Sequence, residues 1–437
     1  MAVQEPAQNG AVAQVIPEPV VTRNGAVESL GFVLLCLYVV SGFANEFAIR
    51  WFGAKAYLSA IVLVGLPIAL ILSRNRFRGL HSKMGRWWLF FLLFLLLDAP
   101  FSVWRTGTLD LITSYVPRSY LNFLFITAFV TTLDRCRKFM YVNIFASAIA
   151  LVSCVSFGRY SSDGRLSVPD SLFLANANEL GLQLLLGATQ FVYLLYQRGA
   201  LKKVVAVGLI VVSVMYILRA GSRSCMVGAI CYCILMIVFS RNKVLVIALV
   251  LVSGLVAVAT TPSMALRRLM LLFEDSTAPA EASAVASEMS RKELFRRSLV
   301  TTLQHPLFGV GPGQFAVYVA KEKTKTGEWA EWLGTHNSYT QISAECGIPC
   351  LICYVAVIAI CFRLNFRMFK ITRGDPGFRE VAGLSFTLLS MILAYAVCTN
   401  FFHMAYTSTL PNIAGTTLAL YWATKQKIQK ELDPKFA

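Results

Sequence analysis

Residues 331–360 read EWLGTHNSYTQISAECGIPCLICYVAVIAI. The second half is an apolar run of the kind that crosses hydrocarbon as a helix, whereas the first half carries His336, Asn337, Thr340, Gln341, Ser343 and Glu345. With helix beginning near His336, the spacing places His336, Asn337, Thr340, Gln341 and Ser343 on one broad face, with Glu345 at its margin. Tyr339, Ile342 and Cys346 turn the other way. A polar stripe at the end of a membrane helix is expected to face a cavity or a bundle interior, because lipid offers its polar groups no partners.

The rest of the chain supports that membrane setting. Of its 437 residues, 57% are hydrophobic and 14% charged, and mean hydropathy is +0.62. This composition excludes an ordinary soluble domain. Backbone polar groups in lipid must be satisfied within the segment, so long apolar runs are expected as helices, and the alternating pattern of a barrel is missing. The fold class expected is an all-α polytopic membrane protein of about twelve transmembrane helices. The candidate spans lie near 27–46, 56–73, 87–104, 119–133, 139–157, 176–196, 204–219, 224–240, 244–260, 339–362, 381–400 and 405–423. Residues 26–424 are read as one membrane domain between a disordered cytoplasmic tail, 1–25, and a second cytoplasmic tail, 425–437. The first tail lacks the basic start and apolar core of a signal peptide.

The formal net charge of +17 has an orderly distribution. With a cytoplasmic N-terminus, the inside turns carry Arg74, Arg76, Arg78, Lys83 and Arg86, then Arg135, Arg137 and Lys138, then Arg198, Lys202 and Lys203. Arg241 and Lys243, and Arg363, Arg367, Lys370, Arg373 and Arg379, continue the pattern. This is the positive-inside rule, with the lipid bilayer, not nucleic acid, as the partner. The eleven cysteines sit in or beside apolar runs and read as small packing residues. Cys346, Cys350 and Cys353 share a helical face but have no fourth ligand at metal-site spacing, so neither a metal nor a cofactor is expected.

Arginines on the outer side have no such explanation. Arg219 and Arg223 flank a tight turn, LRAGSRSCM, where a cation at headgroup depth calls for an anionic partner. The one large loop, 261–338, adds more. Its first part, FEDSTAPAEASAVASEMS, reads as flexible; Ser290 and Glu293 then read as a capping box that starts an amphipathic helix with Arg291 in its first turn. Leu294, Phe295, Leu299 and Leu303 follow at helical spacing, so this helix is expected to lie on the membrane surface. HPLFGVGPGQF, 305–315, has glycines but no preceding strand and no P-loop Lys, so it reads as a turn. Trp329, Trp332 and Tyr339 suit the membrane interface.

Arginine forks grip phosphate oxygens bidentately. An outer face without ATP requires a pre-activated donor, and a sugar on a lipid pyrophosphate needs only cations for its leaving group and one base for the acceptor hydroxyl. His336 suits that base, because imidazole titrates near neutral pH.

Taken in order, SLFLANANELG at 171–181, GSRS at 221–224, Arg291, HPLFGVGPGQF and THNSYTQISAECGIPCLI at 335–352 resemble the signature of the O-antigen ligase and polymerase superfamily. The resemblance spans about residues 160–362. It implies a C-type glycosyltransferase bundle with one large periplasmic loop, in the bacterial inner membrane. The implied reaction is metal-independent transfer from an undecaprenyl-pyrophosphate-linked glycan donor to a glycan or lipid A-core acceptor, with a chain-length regulator as a further partner. His336 matches the base, and Arg223 and Arg291, with Arg219 nearby, match the donor pyrophosphate ligands. Asn337, Gln341, Glu345 and Asn178 take supporting positions. Cys346 and Cys350 depart from the family pattern at packing positions. The competing reading is a transporter or flippase for a lipid-linked or anionic polysaccharide precursor. It predicts paired broken helices in two repeated halves, and no internal repeat is visible.

Overall fold

A computed structural model describes residues 25–52, 58–161, 164–169, 171, 174–240, 243–262, 279–325, 327 and 332–432. The tail at 1–24, Trp329 and the stretch 263–278 lie outside the described residues. The helices in chain order are α1 Ala26–Phe52, α2 Leu58–Leu72, α3 Lys83–Asp98, α4 Arg105–Tyr115, α5 Leu121–Phe129, α6 Leu133–Phe157, α7 Ala177–Tyr196 and α8 Ala200–Arg219. There follow α9 Arg223–Phe239, α10 Lys243–Thr260, α11 Pro279–Gln304, α12 Phe315–Lys325, α13 Ser338–Thr372, α14 Arg379–Cys398 and α15 Thr409–Leu432. The β structure among the described residues is a two-residue hairpin pairing Arg159–Tyr160 with Leu166–Ser167.

The protein is therefore an all-α membrane bundle. Seven described helices are long and apolar enough to cross a membrane; several of the twelve expected spans fall on helices that are shorter or more polar. The span expected at 119–133 is one of these: α5 has nine residues and joins α4 through a π-helical turn at Val116–Tyr120. The helix α15 runs on to Leu432, into the segment read as a tail from 425.

Burial separates centre from periphery. In α14, 83% of the spanning window is buried, against 11% in α10; Val244, Leu245, Leu251 and Leu255 of α10 point outward. Between apolar helices lipid gives no hydrophobic drive, so close approach through small residues decides packing. A Cβ on Gly228 of α9 would lie 2.5 Å from Cys398 Sγ at the end of α14, and one on Gly181 of α7 would lie 2.8 Å from Cys225 Sγ in the first turn of α9. These contacts bring the start of α7, the start of α9 and the end of α14 to one level.

The turns sort onto two ends. At one, Arg135 Nη2 donates to Ser29 Oγ at 3.0 Å, Ser73 Oγ to Glu28 Oε1 at 3.2 Å, and Arg78 stacks over Trp422 at 4.4 Å. Arg137 pairs with Glu380 at 3.6 Å at the same end. At the other, Arg50 Nη2 donates to the Pro169 carbonyl at 2.8 Å, Arg165 Nε to that of Ala220 at 3.2 Å, and Ser338 N to that of Thr399 at 2.8 Å. The basic turns read as inside thus gather apart from the arginine turns read as outside.

Candidate functional site

The site is built where α13 starts. Asn337 is its N-cap: the backbone is extended, and Oδ1 accepts from the N–H groups of Tyr339 and Thr340 at 2.9 and 3.0 Å. Its Nδ2 donates to the Asn400 carbonyl at 3.0 Å. Ser338 Oγ donates to the Phe402 carbonyl and accepts from Met404 N, both at 2.8 Å, so the turn after α14 is tied to the cap. The expected helix start near His336 is therefore corrected. His336 lies before the cap with φ +52, a region that costs a non-glycine residue energy and persists where neighbours hold it. The hold comes from Thr335 Oγ1, which donates to the Asn337 carbonyl at 2.9 Å.

The His336 ring is half-buried and meets the His403 ring edge to face, centroids 5.4 Å apart. Burial, the neighbouring His403 and the positive charge of Arg291 hold its imidazole down at about 4. It is therefore neutral near pH 7, the form a base requires. The Arg291 charge is near enough to contribute to that shift.

Arg291 arrives by a different route from the one expected. α11 begins at Pro279, so residues 279–290, read as flexible, are helical, and Ser290, Glu293 and Arg291 lie inside the helix. The run PAEASAVASEM has good helix formers behind a proline that suits a first position, which outweighs the local capping signal. Glu293 pairs with Arg296 and Arg297 at 2.9 and 2.7 Å instead of capping. Leu294 packs with Phe315, Val319 and Ala344, and Thr302 Oγ1 shares a 2.8 Å hydrogen bond with Ser343 Oγ. Phe295, Leu299 and Leu303 stay exposed.

Beneath His336, α13 breaks. Gly347 leaves helical geometry (φ +77), and Pro349 has no N–H to give the Glu345 carbonyl. The glycine turn repairs the gap. Val310 N donates to Ala344 O at 3.0 Å, Gly311 N to Glu345 O at 2.9 Å, and Ile348 N turns to Pro306 O at 2.8 Å. The fit is close: a Cβ on Gly347 would lie 2.2 Å from the Leu307 carbonyl oxygen, and one on Gly309 2.2 Å from the Glu345 carbonyl carbon. The Glu345 carboxylate completes the clamp, accepting from Gly313 N at 3.0 Å, Phe315 N at 3.4 Å and Tyr406 Oη at 2.8 Å. Gln341 Oε1 accepts from Ala405 N at 3.4 Å. Glu345 and Gln341 thus spend their polar groups on positioning the turns around His336. The Cys346 thiol lies 3.2 Å from Tyr406 Oη within the packed interior, and Cys350 and Cys353 are buried with it.

The arginine turn between α8 and α9 joins the same level. Asn178, in the first turn of α7, accepts on Oδ1 from Arg165 Nη2 at 2.6 Å and Ser222 Oγ at 2.9 Å. Arg223 opens α9 beside them. Cys398 Sγ reaches the Ser224 carbonyl at 3.5 Å, one residue from the Thr399 carbonyl that holds Ser338. Arg219 points elsewhere: Nη2 donates to the Thr260 carbonyl at 2.9 Å, and the guanidinium lies over Tyr216 at 5.1 Å. The starts of α7, α9 and α13 gather at this end; those of α7 and α13 are capped by Asn176 and Asn337, and that of α9 has no side-chain cap.

Residues 184–355 match the model of the family described as O-Antigen ligase. Over that segment, less than half of its length, the chain is similar to the O-antigen ligase family, which supports the O-antigen ligase and polymerase superfamily. The likeness suggests an O-antigen-ligase-type membrane enzyme, a family that implies lipid-linked glycan and an acceptor as substrate classes. No curated protein matches the chain. The matched segment holds Arg219, Arg223, Arg291, His336, Asn337, Gln341 and Glu345, and leaves Asn178, Arg165 and His403 outside it. Arg165 and His403 were missed as site residues in the sequence. The signal for His403 was rarity: the chain has four histidines, and this one lies in a short turn between spans.

Proposed function

We propose that this O-antigen-ligase-type enzyme is an inverting, metal-independent glycosyltransferase working on the periplasmic face of the bacterial inner membrane. Its donor is an undecaprenyl-pyrophosphate-linked glycan, and its acceptor a hydroxyl of a second glycan or of lipid A-core. The observation that carries the reading is the half-buried His336 imidazole, kept neutral partly by the charge of Arg291, with Arg223 opening α9 at the same end of the bundle. The acceptor oxygen attacks the anomeric carbon and its proton passes to His336. The bond from that carbon to the pyrophosphate oxygen breaks, and undecaprenyl pyrophosphate leaves with the electron pair. Arg223 and Arg291 hold the departing anion in bidentate forks, and the converging helix starts add partial positive charge. Asn337, Gln341, Glu345 and Asn178 act as positioning residues, and Arg219 anchors the turn before Arg223. A chain-length regulator is the partner proposed for a polymerase.

The test uses membranes carrying the full chain, a lipid-linked glycan and an acceptor. His336→Ala is expected to lower transfer about 10²–10⁴-fold at unchanged protein level, as loss of a general base does. Arg291→Lys and Arg223→Lys are expected to weaken donor use, because lysine cannot form the fork. Normal product from His336→Ala would remove the base. Labelling of a Ser283→Cys variant by an impermeant reagent only after the inner face is opened would invert the orientation.

A further inference from the structure

The end of the bundle opposite His336 holds a second arginine cluster with different chemistry. The turn between α2 and α3 borders an open pocket of about 480 Å³ lined by Leu72, Ser73, Arg74, Asn75, Arg76, Phe77, Arg78 and His81. Orientation by charge accounts for exposed basic residues beside a span, and Arg74, Arg76 and His81 are of that kind. Arg78 is not. It is 4% exposed, and its Nε and Nη1 have no hydrogen-bond partner among the described residues. Asn75 Nδ2, 6% exposed, is in the same condition. Buried donors are nearly always satisfied, and an arginine that keeps its charge needs an acceptor more than any other group. The Trp422 ring lies 4.4 Å from the Arg78 guanidinium and covers one face of it without offering an acceptor.

Local acids do not fill the gap. Glu28 Oε1 is taken by Ser73 Oγ and Arg74 N, both at 3.2 Å, and Arg135 lies close enough for Glu28 to support its charge. Arg76 Nη1 donates to the Ile71 carbonyl at 2.9 Å, which ties the turn to the end of α2 without neutralising the guanidinium. The pocket is therefore lined by three arginines, with the unpaired donors of Arg78 and Asn75 in its wall and no carboxylate among its lining residues. A tetrahedral oxyanion matches that donor set, since several oxygens can accept from guanidinium edges and the amide together.

We propose that the α2–α3 turn is a phosphate-binding site, held by Arg74, Arg76, Arg78 and Asn75, at the end of the bundle away from the transfer site. The phosphate belongs either to a phospholipid headgroup of the adjoining leaflet, which a basic turn beside a span attracts, or to a soluble phosphate compound.

Full-length protein in neutral detergent is titrated with inorganic phosphate at constant ionic strength. In parallel it is placed in phosphatidylcholine nanodiscs with and without phosphatidylglycerol. A ligand that binds the folded state raises the thermal unfolding midpoint. The expected result is a rise in at least one arm, lost in Arg78→Gln and weakened roughly tenfold in apparent affinity in the Arg74→Gln, Arg76→Gln double variant. The double variant keeps the test decisive if Arg78→Gln fails to fold, because both of its positions are exposed. A control of equal charge, Arg363→Gln with Arg379→Gln, keeps the rise. A rise with phosphatidylglycerol assigns the headgroup, one with inorganic phosphate the soluble compound, and both together a site that accepts either. No rise in either arm, a rise that the double variant retains in full, or one that the control loses equally would overturn the site.

Discussion

The two ends of the bundle both carry arginine turns, yet the cap and clamp residues of one are paired where Arg78 of the other is not, although Arg219 Nε and Gln314 Oε1 at the His336 end also lack a partner. At the His336 end, Asn337, Ser338, Gln341 and Glu345 find partners in neighbouring turns, and the carbonyls freed by the break at Gly347 are taken up by Val310 and Gly311. At the α2–α3 end, Arg78 and Asn75 keep buried donors unpaired. The first arrangement fixes geometry, as a site needs when a proton must pass at a set position. The second has room for an acceptor from outside.

The comparison breaks most visibly at glycines. Gly347→Ala would set a methyl group 2.2 Å from the Leu307 carbonyl oxygen at a left-handed φ. Backbone contacts on both sides cannot yield cheaply, so a loss on the order of 3 kcal/mol is expected. At the other end, Gly374 has open space within 4 Å and no left-handed φ, so Gly374→Ala is expected to be neutral. Unfolding midpoints of the two variants in detergent check this pair. Equal midpoints would show that the glycine turn is not docked as described.

Next in size is Glu345→Leu. It strips the acceptor from Gly313 N and Tyr406 Oη, and an orphaned buried donor costs about 1–3 kcal/mol. Glu345→Gln keeps one oxygen and is expected to lose less. Limited proteolysis of the 305–325 segment reads the effect directly, and equal resistance in Glu345→Leu would mean that the carboxylate does not clamp the turn.

Protonation of His336 gives a smaller, graded effect with a fixed sign. Its folded value of about 4 lies below the ordinary 6.5, so between those values the unfolded chain binds more protons than the folded one. Stability from this group is complete above about pH 6.5 and is lost as pH falls toward 4. Transfer should likewise persist at pH 5.5 and fail nearer 4. An inflection of kcat/KM near 6.5 that disappears in His336→Ala would show an ordinary imidazole instead.

Much of this was legible in the chain before any coordinates. Composition and run length give the all-α membrane bundle; loop charge sorts the turns onto two ends; the segments around Arg223, Arg291 and His336 supply the proposed site. The break in α13 was not legible from its own residues, because Gly347 and Pro349 also suit a mild kink. What makes it sharp is the glycine turn, whose Val310 and Gly311 supply the missing donors from far back in the chain. The capping signal at Ser290 misled for a related reason: a four-residue pattern cannot show that the helix has already begun. His336 before its cap, and the burial of Arg78 under Trp422, likewise depend on contacts between distant segments.

The smallest effect separates an ordinary charged surface from the α2–α3 turn. Asp134, at the start of α6, is bonded by Arg137 and lies 2.8 Å from Lys138 Nζ, with its side chain 47% exposed. Such pairs give less than about 1 kcal/mol, because water already solvates both partners and ordering long side chains costs entropy. Asp134→Asn is therefore expected to move the unfolding midpoint slightly at low salt and not measurably at 0.5 M, where screening acts within a few ångströms. Arg78→Gln should behave differently. Its guanidinium is buried, so salt screens it little, and its loss should be read as lost response to phosphate more than as a shift in the ligand-free protein. If both variants respond to salt alike, Arg78 is one more solvated charge at a membrane surface, and the contrast between the two ends disappears.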